Sequence, residues 1–234
     1  MVLHLLIPPL MELTLGKGAA RGWFPLLGRL EDGAATTQDV TPLSKVKESL
    51  KDLKVEDISG INIDASSVST IQYFRNLVRL HVKVYCHGGS QCFFKLNNDN
   101  VTKLAMALTQ LESLLLGAPC PENACLTTVA CLLPISVHCN KLRKLEIHFN
   151  TTNIIDDFKN TLEDPRFQQL RSLQRCPLAC LRTGQIPLSV EESGSETVVK
   201  GMIDIFPSLT RCRGLKHRWD KLSEEIANFQ EASE

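Results

Sequence analysis

Neither sign of charge prevails in this sequence: 26 lysines and arginines are balanced by 26 aspartates and glutamates. A chain without net charge exerts no long-range pull on phosphate backbones or anionic bilayers, so composition makes no case for nucleic acid or a membrane surface. Long hydrophobic runs are missing as well. No apolar stretch approaches the ~20 residues that a membrane-spanning helix needs. The opening MVLHLLIPPL is apolar, but it lacks the basic leader of a signal peptide and runs into Pro8, Pro9 and Glu12. These absences lead us to expect a protein of the cytoplasm or nucleus. In that setting the sequons at Asn100 and Asn150 carry no meaning.

Signatures of catalysis and cofactor binding are equally scarce. There is no nucleophile elbow, no H-E-x-x-H and no readable triad, and the expectation is a non-enzymatic protein. Gly16-Lys17-Gly18 begins like a dinucleotide fingerprint, but the third glycine should stand at position 21, where Arg21 is found. No G-K-[ST] follows either, so this stretch reads as a plain loop and no cofactor is expected. The nine cysteines are odd in number and unevenly spaced, which suits reduced thiols rather than a disulfide framework. Cys120, Cys125, Cys131, His138 and Cys139 come nearest to a zinc set. Only one C-x₄-C pair is present, however, and Cys131 and Cys139 fall where small buried residues are expected, so no metal is expected.

What the chain does have is a beat. In LRKLEIHFN, Leu142, Leu145 and Ile147 follow the pattern L-x-x-L-x-L, with Asn150 three positions further on. The same pattern occurs at Leu10-Leu13-Leu15, Ile58-Ile61-Ile63, Leu77-Leu80-Val82 and Leu111-Leu114-Leu116. It weakens at Leu178-Leu181-Thr183 and Leu209-Cys212-Gly214. The starts at 77, 111, 142 and 178 are 34, 31 and 36 residues apart. In each beat the fourth and sixth residues are two apart, so a strand turns both to one face. The asparagine amide can satisfy backbone groups as the chain leaves the strand.

Helix-length segments separate the beats. NVTKLAMAL places Val101, Leu104 and Leu108 at helical spacing, with Asn98 or Asn100 as cap. LTTVACLLPISVHC must kink or split at Pro134. IIDDFKNTL and ETVVKGMIDIF continue the scheme, the second with Val198, Met202 and Phe206 on one side. Strand then helix, recurring in units that cannot bury their own faces, describes an α/β irregular leucine-rich-repeat-like solenoid, with a parallel sheet on the concave side and helices on the convex side.

Three regions follow. Residues 1–57 hold a partial repeat, a Gly/Ala-rich loop over 16–41 and a short helix through Val46 and Leu50. Residues 58–215 form the repeat array, including a solvated loop at 188–197. Residues 216–234 form a C-terminal capping helix, with Trp219, Leu222, Ile226 and Phe229 on one stripe. At the other end no polar cap precedes the first beat, which suggests a fragment.

By the block LESLLLGAPCPENACLTTVACLLPISVHCNKLRKLEIHFNTTNI and the later VVKGMIDIFPSLT, the chain resembles fungal F-box/leucine-rich-repeat-like proteins over Ile58 to Leu222. The resemblance implies a repeat domain that holds a substrate for a cullin-type ubiquitin ligase. The adaptor of that ligase is an expected partner only if an F-box lies upstream.

The candidate docking surface is the outward side of the strands: Arg79, His81 and Lys83 in one beat, Lys144, Glu146 and His148 in another, and Arg182 beyond, with Arg211 and Arg213 extending the row. Asp64 and Glu146 stand against them. If the strands stack in chain order, a basic-leaning stripe suited to an acidic or phosphorylated peptide crosses a neutral protein. The outward side of any half-buried sheet is polar, so a stand-alone repeat scaffold is the competing reading. A small enzyme with an unrecognised pocket is the other.

Overall fold

In the computed structural model, six of the seven beats lie on strands and the remaining one is displaced. The structure describes residues 12–15, 47–58, 63–84, 94–117, 125–170, 173, 176–183, 192–214 and 217–232. The whole loop over 16–41, with its Gly16-Lys17-Gly18 stretch, and Cys120 lie outside them.

The strands are β1 (Glu12–Leu15), β2 (Asp52–Ile58), β3 (Arg79–Val84), β4 (Ser113–Gly117), β5 (Lys144–Ile147), β6 (Cys180–Arg182) and β7 (Arg211–Arg213). They form one seven-stranded sheet in chain order, and every neighbouring pair is parallel. Parallel neighbours need a crossover; among the described residues helices supply it from β2 to β7, and one more helix follows β7. These are α1 (Ala65–Ile71), α2 (Asn98–Ala107), α3 (Leu132–His138), α4 (Ile154–Glu163), α5 (Pro165–Leu170), α6 (Glu192–Ile205) and α7 (His217–Glu231).

One face of the sheet is buried. Leu53 and Val55, Leu80 and Val82, Leu114 and Leu116, Leu145 and Ile147, then Leu181 and Cys212 share a single core with the inward residues of the helices, among them Val101, Leu104, Ile135, Phe158, Val198 and Met202. Burying a side chain of this size is worth roughly 1.5–3 kcal/mol each, which is why the period-two alternation decides the sheet's orientation.

The beat also fixes how each unit closes. The amide of the first leucine donates to a carbonyl three residues earlier: Leu77 to Phe74, Leu111 to Leu108, Leu142 to Cys139 and Leu209 to Phe206, at 2.9 to 3.2 Å. Two successive amides then reach back to one carbonyl of the preceding unit. Val78 and Arg79 donate to Lys51, Glu112 and Ser113 to Val78, Arg143 and Lys144 to Glu112, and Thr210 and Arg211 to Ala179. Four turns are thus stitched to the ones before them.

Several expectations need correction. The second beat was placed at Ile58-Ile61-Ile63, but the strand there is β2, carried by Leu50, Leu53 and Val55. KESLKDL was read as the end of an amphipathic helix, yet only 47–49 is helical among the described residues, and Leu50 already opens the beat. The boundary drawn between 57 and 58 therefore cuts β2. The cap of α2 is Asn97, whose side chain accepts from the Asn100 amide at 2.9 Å while Asn100 Oδ1 accepts from the Asn97 amide at 3.2 Å. LTTVACLLPISVHC splits, as its proline requires, into a 3₁₀ turn (Val129–Cys131) and α3, with Pro134 in the first turn of α3 where its missing N–H costs nothing. Residues 192–197 were expected in a loop but open α6, where Ser195 donates to Glu225 of α7. Asn150 does fill its slot, accepting from the Thr152 amide at 2.8 Å as the chain leaves β5.

The last strand is closed off by α7. Trp219, Leu222 and Ile226 are buried against the final unit, while Phe229 at the end of the stripe stays 40% exposed. Ser223 Oγ accepts from the Cys212 amide at 2.9 Å and donates to the Cys212 carbonyl, so one hydroxyl satisfies both outer-edge groups of β7. An unpaired strand edge invites another chain, and this contact blunts it. Ser223→Ala leaves two backbone groups unsatisfied. It should cost about 1–3 kcal/mol in urea unfolding, with loss of amide-exchange protection at Cys212.

Candidate functional site

The other face of the sheet carries no helix among the described residues, and its residues line up in register. One row runs Asp52, Arg79, Ser113, Lys144, Cys180, Arg211. The next runs Lys54, His81, Leu115, Glu146, Arg182, Arg213. A third begins with Glu56, Lys83 and Gly117. Arg79, His81, Lys83, Lys144, Glu146 and Arg182, singled out from the sequence, do share this face. Adjacent strands are about 4.8 Å apart, so side chains along a row are direct neighbours.

His148 does not join them in the open. It follows β5 and has the right parity, but it is only 7% exposed. Its ring lies on Gly117, where an added Cβ would come within 3.1 Å of the imidazole. Its carbonyl accepts from Thr127 Oγ1 at 2.8 Å. The missing side chain at Gly117 makes the berth, and the ring fills it. Asp64 is not on the face at all. It caps α1, its carboxylate accepting from the amides of Ser66 at 3.0 Å and Ser67 at 3.3 Å. Burial pushes that carboxyl up, but the hydrogen bonds from Ser66 and Ser67 outweigh it and hold the group below its ordinary value.

Charge divides the open face into two halves. Around β2 and β3 the ions are paired: Arg79 with Asp52 at 2.5 Å, Lys54 with Glu56 at 2.9 Å, and His81 Nε2 beside Glu56 Oε1 at 3.3 Å. The hydrogen bond from Lys54 is the main reason Glu56 sits below the usual carboxylate range. Around β5 to β7 stand Lys144, Arg182, Arg211 and Arg213, all exposed, and none makes an ion pair among the described residues. Among the described residues of these strands, Glu146 is the one carboxylate on this face. Asp52, Lys54 and Glu56 escaped the sequence reading because the second beat was misplaced. The signal was there, in Leu50-Lys-Asp-Leu53-Lys-Val55.

His81 is pushed below its ordinary value, chiefly by burial, with Glu56 pulling the other way. Its Nε2 lies 3.3 Å from Glu56 Oε1 but outside hydrogen-bonding geometry, so the carboxylate only partly offsets the burial that favours the neutral ring. A base whose folded value is depressed takes up its proton in the unfolded chain first. Its contribution to stability is therefore present above the free-imidazole value near 6.5 and lost as pH falls through the folded value. An NMR titration should place the His81 midpoint below that of a free imidazole, and Glu56→Gln should lower it further. A midpoint above the free value would contradict this geometry.

Among the described residues no group of His, Cys, Asp or Glu is disposed to hold a metal ion. Cys131 and Cys139 belong to the core; burial pushes the Cys139 thiol up to about 12, and Cys131 higher still. Cys139 Sγ lies 3.8 Å from the Ala105 carbonyl and 3.9 Å from that of Leu108, closing the turn between two units. His138 sits instead on a half-open cleft of about 460 Å³ on the helical side, with Asp99, Asp157 and Asp164 also in its wall. Burial raises Asp157, and the neighbouring Asp156 adds to it. The hydroxyls there are engaged: Thr102 with the Asn98 carbonyl, Thr161 with the Asp157 carbonyl, and Thr128 with the Asn98 side chain and the Ala130 amide.

Compared with known proteins, the chain matches no family model and no curated sequence. No helix among the described residues is long and apolar enough to cross a membrane.

Proposed function

We propose that this chain is a non-catalytic protein-recognition module, an irregular leucine-rich-repeat-like solenoid whose sheet forms the concave side and whose helices form the convex side. The observation that carries it is the registered face of seven parallel strands in chain order, free of helices among the described residues. The repeated stitching of one turn to the one before supports the solenoid. The ionic rows over that face, half of them self-paired and half unmatched, suit an acidic segment of a partner protein in the cytoplasm or nucleus. The resemblance to F-box/leucine-rich-repeat-like proteins supports the role of a substrate-holding repeat domain, with a ligase link only if an F-box lies upstream.

The test is quantitative affinity capture with the full-length chain, comparing Lys144→Glu with Lys159→Glu on the exposed side of α4. Partners lost with the first and kept with the second support docking on the sheet. A partner set indifferent to Lys144→Glu removes it. Copurification of the cullin adaptor with the native gene product tests the ligase role separately, and its absence leaves a stand-alone repeat scaffold.

One observation favours an enzyme instead, namely the cleft on the helical side with His138 and Asp157 in its wall. Its hydroxyls are taken up by helix and turn bonds, so it presents no nucleophile beside a base.

A further inference from the structure

We infer that the half-open cleft on the helical side is a binding site for a linear polyamine, a small organic cation whose ammonium groups are spaced by runs of methylenes. The cleft lies away from the sheet face, and the inference does not depend on docking there.

The cleft has the size and the walls for such a ligand. Its volume of about 460 Å³ falls within the range of small-molecule sites, about 300–1,000 Å³. Asp99 and Thr102 enter it from the first turns of α2, and Asp157, Thr161 and Asp164 from α4 and its C-cap. Asp157 and Asp164 stand two helical turns apart, about 10 Å along the axis, on one face. The 3₁₀ turn at Val129–Cys131 packs against both helices, and the wall there is apolar, made by Ala130 with Leu133 and Pro134 of α3. Carboxylates on two helices, with a hydrocarbon wall beside them, match a chain that alternates charge and methylenes.

Charge and hydrogen bonding both select a cation. Three carboxylates face one imidazole, that of His138, and no lysine or arginine lines the cleft among the described residues. The helix ends would favour an anion, but each is worth only about half a positive charge, and Asp99 and Asp157 already occupy those first turns. The donors of the wall are spent inside the protein. The Thr102 hydroxyl donates to the Asn98 carbonyl at 2.9 Å, the Thr161 hydroxyl to the Asp157 carbonyl at 2.7 Å, and the Asn98 amide to Thr128 Oγ1 at 3.1 Å. What remains toward the opening is chiefly oxygen that accepts, and an ammonium group has donors and no acceptor. Asp157 is held above its ordinary value, first by burial and then by Asp156, and a cation beside it would reverse that shift.

Titration calorimetry of the full chain with spermidine at low ionic strength tests the site. Spermidine should bind at one site, about tenfold or more tightly than n-butylamine or magnesium. The pair Asp99→Asn, Asp157→Asn should weaken that binding about tenfold or more. Glu163→Gln, which removes an exposed carboxylate of α4 outside the cleft, should change it less than about twofold. Ala130→Phe fills the apolar wall while leaving every carboxylate in place, and should abolish binding. Each variant is measured below its own thermal midpoint, and if Ala130→Phe does not fold, the asparagine pair decides alone. No detectable spermidine binding, an equal loss from Glu163→Gln, magnesium binding as tight as spermidine, or binding that persists in folded Ala130→Phe overturns the site. Each of the last three would reduce it to diffuse attraction between a cation and surface charge. A tetralysine peptide that displaces spermidine and binds more tightly would assign the cleft to a basic segment of a partner protein, and would overturn the polyamine reading.

Discussion

Trp219→Ala is expected to lower stability by about 3–5 kcal/mol, the largest loss among single truncations of the C-terminal cap. The indole is fully buried, with Cδ1 so near Gly214 that an added Cβ there would come within 2.4 Å of it. Thr183 of the preceding unit borders the same spot, since that Cβ would lie 2.6 Å from its hydroxyl. The ring thus plugs the end of the core where β6 and β7 leave off. For a protein of this size the loss corresponds to roughly 6–20 °C in thermal midpoint. It should also be local in its first stage. Amide exchange should quicken in β6 and β7 before β3 and β4, because a stacked array unzips from an uncapped end. A loss below about 1 kcal/mol, or one spread evenly from β3 to β7, would show that the helix is not an end cap.

The second large effect reverses a usual sign. Replacing an interior helical glycine by alanine ordinarily stabilises by about 0.5–1 kcal/mol, because alanine loses less backbone freedom on folding. At Gly201 in α6 the added methyl would stand 2.4 Å from Cδ1 of Phe158 in α4. Phe158 is fully buried and has no solvent to retreat into. Overpacking of this kind costs about 1–3 kcal/mol and sometimes more, so the steric term should win and Gly201→Ala should destabilise. Phe158→Leu should relieve part of the penalty, giving a double-mutant cycle with clear non-additivity. Stabilisation by Gly201→Ala alone would mean that α4 and α6 do not approach this closely.

Much of this architecture could be read from short patterns, for a definite reason. Pairs such as Leu80 and Val82, or Leu145 and Ile147, must bury both members on one side, and that demand appears in the sequence as a two-residue interval. Even Leu178-Leu181-Thr183 and Leu209-Cys212-Gly214, the faintest beats, mark real strands, because position rather than bulk identifies them. The misplaced beat shows the limit. Ile58-Ile61-Ile63 satisfies the pattern better in chemical terms than Leu50-Leu53-Val55, and only pairing with Leu80 and Val82 on β3 chooses between them. The cap of α2 was missed for a similar reason. Asn97, Asn98 and Asn100 are all capable, and the reciprocal bonds that single out Asn97 depend on where the helix begins.

The candidate face was legible one strand at a time. Parity assigns Arg79, His81, Lys83, Lys144, Glu146 and Arg182 to the side away from the core, whatever the rest of the protein does. It cannot show that Asp52 neutralises Arg79 or that the His148 ring lies down on Gly117. Those facts need the register between strands remote in sequence.

By itself, then, the order of residues determined which side chains turn inward and how often the chain repeats itself. Both are local consequences of backbone geometry, where alternate residues on a strand point opposite ways. The tertiary structure decided which charges meet, which cation remains without a counterion, and how the last strand is closed. The first two depend on neighbours separated by about 30 residues, such as Lys144 beside Cys180 and Cys180 beside Arg211, and the last on Ser223 of α7 meeting Cys212. Coulomb energy and packing act through that separation in space, and the linear chain does not record it.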